Sequence, residues 1–121
     1  MEIVRKLSVL VILVLFFSCK NEEKVEPSKS SNPIELGKNL FEGKGTCIAC
    51  HKPNAKIIGP SIAEISKIYK DKNASIVSFL KEESDPIVDP SQYEIMKTNF
   101  SITKNMSDDE LKALEEYILS F

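Results

Sequence analysis

The chain has 121 residues, with three cysteines, one histidine and a formal net charge of −2. A single histidine leaves no second imidazole for acid/base chemistry and no set of serine, histidine and aspartate, so we expect a protein that is not an enzyme. The slightly acidic balance predicts that nucleic acid is not a partner.

The N-terminus has the pattern of an export signal. Two basic residues precede an apolar run of 11 residues at 7–17, too short to span a bilayer as a mature helix. A small residue and Cys19 follow, which resembles the end of a bacterial lipoprotein signal, although Phe16 replaces the usual aliphatic residue. We predict a signal peptide over residues 1–18 and acylation of Cys19. The alternative is an ordinary secretory signal with Cys19 as a stray thiol.

The next segment predicts a tether. Residues 20–32 contain one aliphatic residue, one proline and many charges, so they cannot form a core and should be disordered. We therefore assign residues 19–32 to the acylated cysteine and tether, and residues 33–121 to one small domain that we expect to be monomeric. The chain would then be held on a membrane of the bacterial cell envelope, on the periplasmic side or at the cell surface.

Residues 33–121 have apolar residues at helical spacing and little sign of strands, so an all-α fold is expected. Helix starts are predicted at Pro33, Ser61 and Asn73, and a short helical piece over residues 91–97. The last helix has the clearest start, because Ser107 and Glu110 form the pattern of a capping box. Its predicted buried face consists of Leu111, Leu114, Tyr117 and Ile118.

Residues 47–51 read Cys-Ile-Ala-Cys-His, the pattern of covalent c-type haem attachment. Cys47 and Cys50 are three residues apart, so on one helical turn both thiols face the same way and can add to two vinyl groups of a porphyrin. His51 follows directly and can bind the iron as its proximal ligand. The pattern predicts one haem c, bound through both thioethers.

Two other interpretations of the cysteine pair are a zinc site and a haem-free dithiol or disulfide. A structural zinc needs four ligands, and the only further cysteine is the distant Cys19. A thioredoxin-like dithiol needs a βαβ context, and no β-rich runs surround residues 47–50.

The second axial ligand of the iron decides the function. With one histidine, bis-histidine ligation within the chain is excluded, and Met96 and Met106 are the candidate thioethers beyond the start methionine. Met106 precedes the capping Ser107, where an apolar residue packs on Leu111 as a hydrophobic staple. Met96 lies in a polar stretch between helical segments, so we predict it as the distal ligand. Met106, a lysine and an open site are the alternatives.

The order of these motifs resembles a class I monohaem cytochrome c across residues 33–121. The elements are Gly37-x-x-x-Phe41, the Cys-x-x-Cys-His run, Gly59-Pro60, a late Met96 and a final helix with Leu114-x-x-Tyr117. One departure is Lys97 after Met96, where family members often have proline. The resemblance implies a small helical domain wrapped around one covalently attached haem.

The resemblance also implies roles for single residues. The first and last helices should cross closely at Gly37, with Phe41 and Tyr117 packed at the crossing. The carbonyl of Pro60 should accept a hydrogen bond from the His51 nitrogen that does not bind iron, which fixes the ring orientation and tautomer.

His/Met ligation predicts an electron carrier, because a six-coordinate iron changes valence with little change in geometry. Its expected partners are a quinol-oxidising complex or other donor and a terminal oxidase or reductase as acceptor. A haem ligand sensor or weak peroxidase is the alternative, and it requires a displaceable Met96. Both ligand-bearing stretches carry lysines without acids, which predicts a basic rim that steers docking on an acidic partner face. The alternative is that these lysines only solvate surface loops. These lysines are Lys44, Lys52, Lys56, Lys97 and Lys104.

Overall fold

The computed structural model describes residues 32–121, which form an all-α domain as predicted. Six α-helices occur in this part of the chain, together with two short 3₁₀ segments at Cys47–Ala49 and Pro90–Gln92, and no strand is present there. The helices are α1 (Pro33–Glu42), α2 (Ile62–Lys72), α3 (Ile76–Leu80), α4 (Tyr93–Lys97), α5 (Phe100–Thr103) and α6 (Asp108–Leu119). The predicted signal peptide, Cys19 and nearly all of the predicted tether lie outside the described residues.

Polar side chains begin the longer helices as the sequence predicts. The Asn32 side chain accepts a hydrogen bond from the Ile34 amide at 3.0 Å, with Pro33 in the first turn. Ser107 and Glu110 form the predicted capping box at the start of α6, each side chain accepting from the other's backbone amide. These caps satisfy amides that have no partner inside their own helix.

Helices α1 and α6 make the most extensive helix contact in the domain, at a crossing with no room for a side chain on Gly37. A Cβ there would lie 1.9 Å from the Ala113 carbonyl oxygen and 2.7 Å from Tyr117 Cβ. One turn along, the Phe41 and Tyr117 rings meet edge to face with centroids 5.4 Å apart. The close crossing holds the first helix, which leads into the cysteine turn, against the last.

The third helix starts differently from the prediction. Asn73 does not cap its N-terminus, because it adopts a left-handed conformation (φ 48°) and ends α2 instead. Ser75 caps α3, accepting from the Ser78 amide at 3.2 Å. Asparagine is common at both helix ends, so its type alone does not decide which helix it serves.

The core lies between α6 and the helices α1, α2 and α3. Met106 and Leu111 are both buried in it, 7% and 1% exposed, consistent with the predicted staple. Leu114 and Ile118 are also buried, whereas Tyr117 is only partly so. The only unpartnered buried side-chain oxygen or nitrogen in the described residues is Ser66 Oγ on α2. Within residues 32–121, no helix has the length and apolar character needed to cross a membrane.

Candidate functional site

The cysteine turn is a tight reversal after α1. Gly45 N–H donates to the Leu40 carbonyl at 2.7 Å, and Thr46 then takes a left-handed conformation (φ 54°) that starts the 3₁₀ segment. The Cys50 and His51 amides both donate to the Cys47 carbonyl, at 3.1 and 3.0 Å. The turn is therefore 3₁₀ where the sequence suggested an ordinary helical turn, and it brings both thiols and the imidazole to one wall of a cavity.

The His51 ring is fixed on two sides. Its Nδ1 lies 2.7 Å from the Pro60 carbonyl oxygen, the pair that the sequence resemblance implies. A Cβ on Gly59 would lie 2.5 Å from His51 Cε1, so the backbone of Gly59 lies against the ring. The Gly59 amide donates to the Cys50 carbonyl at 2.9 Å, which anchors this return loop to the cysteine turn. The imidazole has little freedom to rotate.

An apolar cavity of about 290 Å³ lies beside His51. Its walls come from the cysteine turn, from α2 and α3, and from residues 86–99. Met96 is one of the lining residues, whereas Met106 is not, because Met106 is packed in the core. Met96 lies in the last turn of α4, within the short helical piece that the sequence predicts over residues 91–97. The structure thus places Met96 and His51 on the same cavity.

Cys47 and Cys50 are not joined in a disulfide. Burial raises the pKa of the Cys47 thiol to about 11, and a backbone hydrogen bond only partly offsets that effect. The sulfur lies 3.4 Å from the Gly45 carbonyl oxygen. A dithiol oxidoreductase needs a reactive thiolate near neutral pH, so this environment argues against the haem-free dithiol interpretation.

Asn99 connects the cysteine turn to the Met96 segment, and the sequence did not single it out. Its side chain donates to the Gly45 carbonyl at 3.1 Å and accepts from Thr46 Oγ1 at 3.2 Å. Its own amide donates to the Met96 carbonyl at 3.0 Å. The only sequence signal for this role is an asparagine three residues after the candidate ligand Met96. Its hydrogen-bond partners lie more than 50 positions away, so no local sequence pattern could have predicted the contact.

The predicted basic rim is largely neutralised, because three of its five lysines form ion pairs. Lys44 pairs with Glu110 of the acidic final helix at 2.6 Å, and Lys56 pairs with Asp89 at 2.8 Å. Lys104 pairs with Glu82, whose pKa is lowered by that hydrogen bond. The sequence stretches lack acids, but the fold brings acids to them. Of the five predicted lysines only two form no ion pair within residues 32–121, namely Lys52 and Lys97, and Lys97 lies 5.8 Å from the Tyr93 ring centroid.

The family profile for cytochrome c matches residues 34–121, which is most of the chain. No curated protein matched the sequence. The chain therefore belongs to the cytochrome c family. Its donor set fits the family's cofactor, since two free thiols at the required spacing and an oriented imidazole share one apolar cavity. The protein is an electron carrier with one haem c bound covalently through Cys47 and Cys50, and it works with redox partners.

Proposed function

We propose that His51 and Met96 are the two axial ligands of the haem iron and that the protein is a dedicated electron shuttle. The observation that carries the proposal is that Met96 lines the cavity beside His51, while Met106 is buried elsewhere. The bound haem supplies reversible one-electron exchange at its iron, and a thioether ligand favours the ferrous state. The protein's own contribution is to hold His51 and Met96 in position.

His51 is prepared for this role by its hydrogen bond. A carbonyl oxygen can only accept, so the 2.7 Å contact with Pro60 requires the proton on Nδ1. In the neutral ring with its proton on Nδ1, the lone pair of Nε2 is available to bind metal. Gly59 lies against the ring face and limits its rotation. This arrangement supports a fixed proximal ligand whose orientation does not depend on the redox state.

Met96 is held from its C-terminal side. The amides of Thr98 and Asn99 close the end of α4 on Ile95 and Met96 carbonyls, and Asn99 then binds the cysteine turn. Met96 is thus attached, through Asn99, to the same cysteine turn that carries His51. Such a pre-positioned pair supports electron transfer, because little has to move when the iron changes valence.

We further propose that the domain operates at a membrane of the bacterial cell envelope. The support is the sequence of residues 1–32, with its export pattern, Cys19 at the expected acylation point and a charged tether. A quinol-oxidising complex or another donor would reduce it, and a terminal oxidase or reductase would oxidise it. Docking would use the apolar surface around Ile58 and Ile95, which line the cavity and are each 52% exposed.

Matched leucine substitutions test the ligand assignment. Met96→Leu in the haem-loaded protein should abolish the sulfur-to-iron charge-transfer band of the ferric form and allow rapid carbon monoxide binding to the ferrous form. Its reduction potential should fall, because the thioether is lost. Met106→Leu is the control, and it should keep the band and cost less than about 1.5 kcal/mol of stability. The reverse pattern would assign Met106, and no change in either variant would refute thioether ligation.

A further inference from the structure

One wall of the cavity is a strap, which we define as residues 84–97. It runs from beyond α3 through the segment Pro90–Gln92 and ends with α4 and Met96. Within the described chain, residues 84–88 make no hydrogen bond or ion pair to any other residue. The half-buried Ile87 and Val88 hold this part by apolar contact with the core. The strap is therefore weakly held over its first half.

Among the described residues, one ion pair joins the strap to the loop after His51, whose residues 58–60 also line the cavity. Lys56 Nζ donates to Asp89 Oδ2 at 2.8 Å, and Asp89 Oδ1 accepts from Ser91 Oγ at 2.5 Å. The Asp89 side chain is 17% exposed and that of Lys56 is 57% exposed. On the far side, the backbone of Lys56 forms an isolated antiparallel bridge with His51 itself. The ion pair thus connects the strap to the backbone of the proximal ligand.

Two consecutive short helical segments connect Asp89 to Met96. The Gln92 amide donates to the Asp89 carbonyl at 3.1 Å, and Tyr93, which ends that 3₁₀ turn, is the first residue of α4. All residues from Pro90 to Met96 are in 3₁₀ or α-helical conformation. At the other end of α4, Asn99 is held to Gly45 and Thr46 by hydrogen bonds that do not involve the ion pair. Loss of the ion pair would release the strap at one end only.

We propose that the Lys56–Asp89 ion pair is a latch that keeps the strap closed over the cavity and controls how often Met96 leaves the iron. Lys56 is then a positioning residue that acts through Asp89 and α4. This inference rests on the proposed function for its effect on the iron, although strap closure itself does not. An opened strap would admit small ligands to the distal side, so the latch separates an electron shuttle from a ligand-binding haem protein.

The test uses the haem-loaded protein and three variants. Lys56→Met removes the charge and keeps the aliphatic stem, Lys56→Arg keeps the charge, and Lys67→Met removes the charge of the exposed ion pair with Asp71 on α2 as a control. Amide hydrogen exchange of residues 84–97 measures strap opening, and the rate of imidazole binding to the ferric iron measures access. We expect Lys56→Met to raise both about two- to five-fold, in the range that an exposed ion pair supplies.

Rescue by the conservative variant separates a latch from general destabilisation. Lys56→Arg and Lys67→Met should both match the wild type, and exchange in α6 should be the same in all four proteins. Strap exchange in Lys56→Met equal to that of Lys67→Met would overturn the proposal. Imidazole binding that does not change while strap exchange rises would also overturn it. A ferric wild type without the sulfur band would instead refute the proposed Met96 ligation, and the exchange result would still decide whether the strap is latched.

Discussion

Gly59 is the residue whose small size bears most directly on His51, the proposed haem ligand. Any Cβ there would come within 2.5 Å of His51 Cε1 and 2.8 Å of Nδ1, closer than real side-chain contacts allow. Either the imidazole or the loop carrying the Pro60 carbonyl would have to move. The histidine is therefore positioned by backbone contact as well as by its hydrogen bond.

We predict that Gly59→Ala costs about 1–3 kcal/mol of stability and also alters the haem. The displaced ring should weaken the Nδ1 hydrogen bond, which lowers imidazole basicity and shifts the reduction potential. Urea unfolding and a redox titration measure the two effects. Gly43→Ala is the comparison for the potential: its Cβ would clash with the Asn39 carbonyl oxygen at 2.9 Å and should also cost stability, but it does not approach His51, so the potential should stay unchanged. A Gly59→Ala protein with wild-type stability and potential would contradict the packing account.

Some of the residue contacts in the structure were predicted from the sequence and others were not. The close approach at Gly37 and the ring pair of Phe41 and Tyr117 match what the family resemblance implied. Asp89 and Asn99 were not anticipated, because their partners Lys56 and Gly45 are distant in sequence. Contacts within a helix or turn depend on residues close in sequence and can be predicted from their spacing. Contacts across a cavity depend on how the helices pack and cannot.

At the scale of helices, α3 depends on a carboxylate from another helix. It has only five residues, too few to be stable alone. Glu115 of α6 accepts hydrogen bonds from the amides of Ile76 and Val77 at 2.7 and 3.2 Å and from Ser75 Oγ at 3.1 Å. A negative charge at a helix N-terminus is also favourable electrostatically. Since α3 supplies a wall of the cavity, this contact joins the last helix to the site.

Glu115→Ala should therefore destabilise the protein by about 1–2 kcal/mol, the usual cost of a lost helix cap. Amide exchange in residues 76–80 should rise more than exchange in α1. Glu116→Ala is the matched control, since Glu116 is the adjacent acid on α6 and its side chain makes no hydrogen bond or ion pair within the described residues. Equal effects of the two substitutions would show that Glu115 does not cap α3.

Five of the six helices were predicted from the sequence. The exception is α5, whose sequence carries no helical signal of its own. Helices α1, α2 and α6 have apolar periodicity over several turns and side-chain caps, so their starts are predictable. Helix α5 has four residues, shorter than one apolar repeat, and no side-chain cap. Its buried Phe100 packs edge to face on Phe79 with centroids 5.4 Å apart. That tertiary contact, rather than local pattern, accounts for the short helix.

At the scale of the whole molecule, three ion pairs between distant parts of the chain lower the pKa values of their carboxyl groups. Lys104 and Lys56 lower the pKa values of Glu82 and Asp89 through their hydrogen bonds. Partial burial opposes the shift at Glu110, but Lys44 and the Ser107 amide outweigh it and its pKa is also lowered. The folded state therefore holds these three protons more weakly than the unfolded state does.

Stability should consequently be constant near neutral pH and fall in acid. A carboxyl with a depressed folded pKa contributes fully above its unfolded pKa and loses that contribution as the pH drops through the folded value. With ordinary values of 4.5 and 3.8, the loss should begin near those values and continue below them. Urea midpoints across this range measure it, and Lys104→Met should remove the part due to Glu82. A midpoint that rises in acid would contradict the assignment.

The central claim is that His51 and Met96 close both axial positions of the iron, and the optical spectrum of the wild-type protein tests it most directly. The account predicts a weak sulfur-to-iron charge-transfer band at the red edge of the ferric spectrum and no change in the ferrous spectrum when carbon monoxide is added. A high-spin ferric spectrum with prompt carbon monoxide binding would contradict it and would indicate an open distal site suited to ligand sensing or peroxide chemistry.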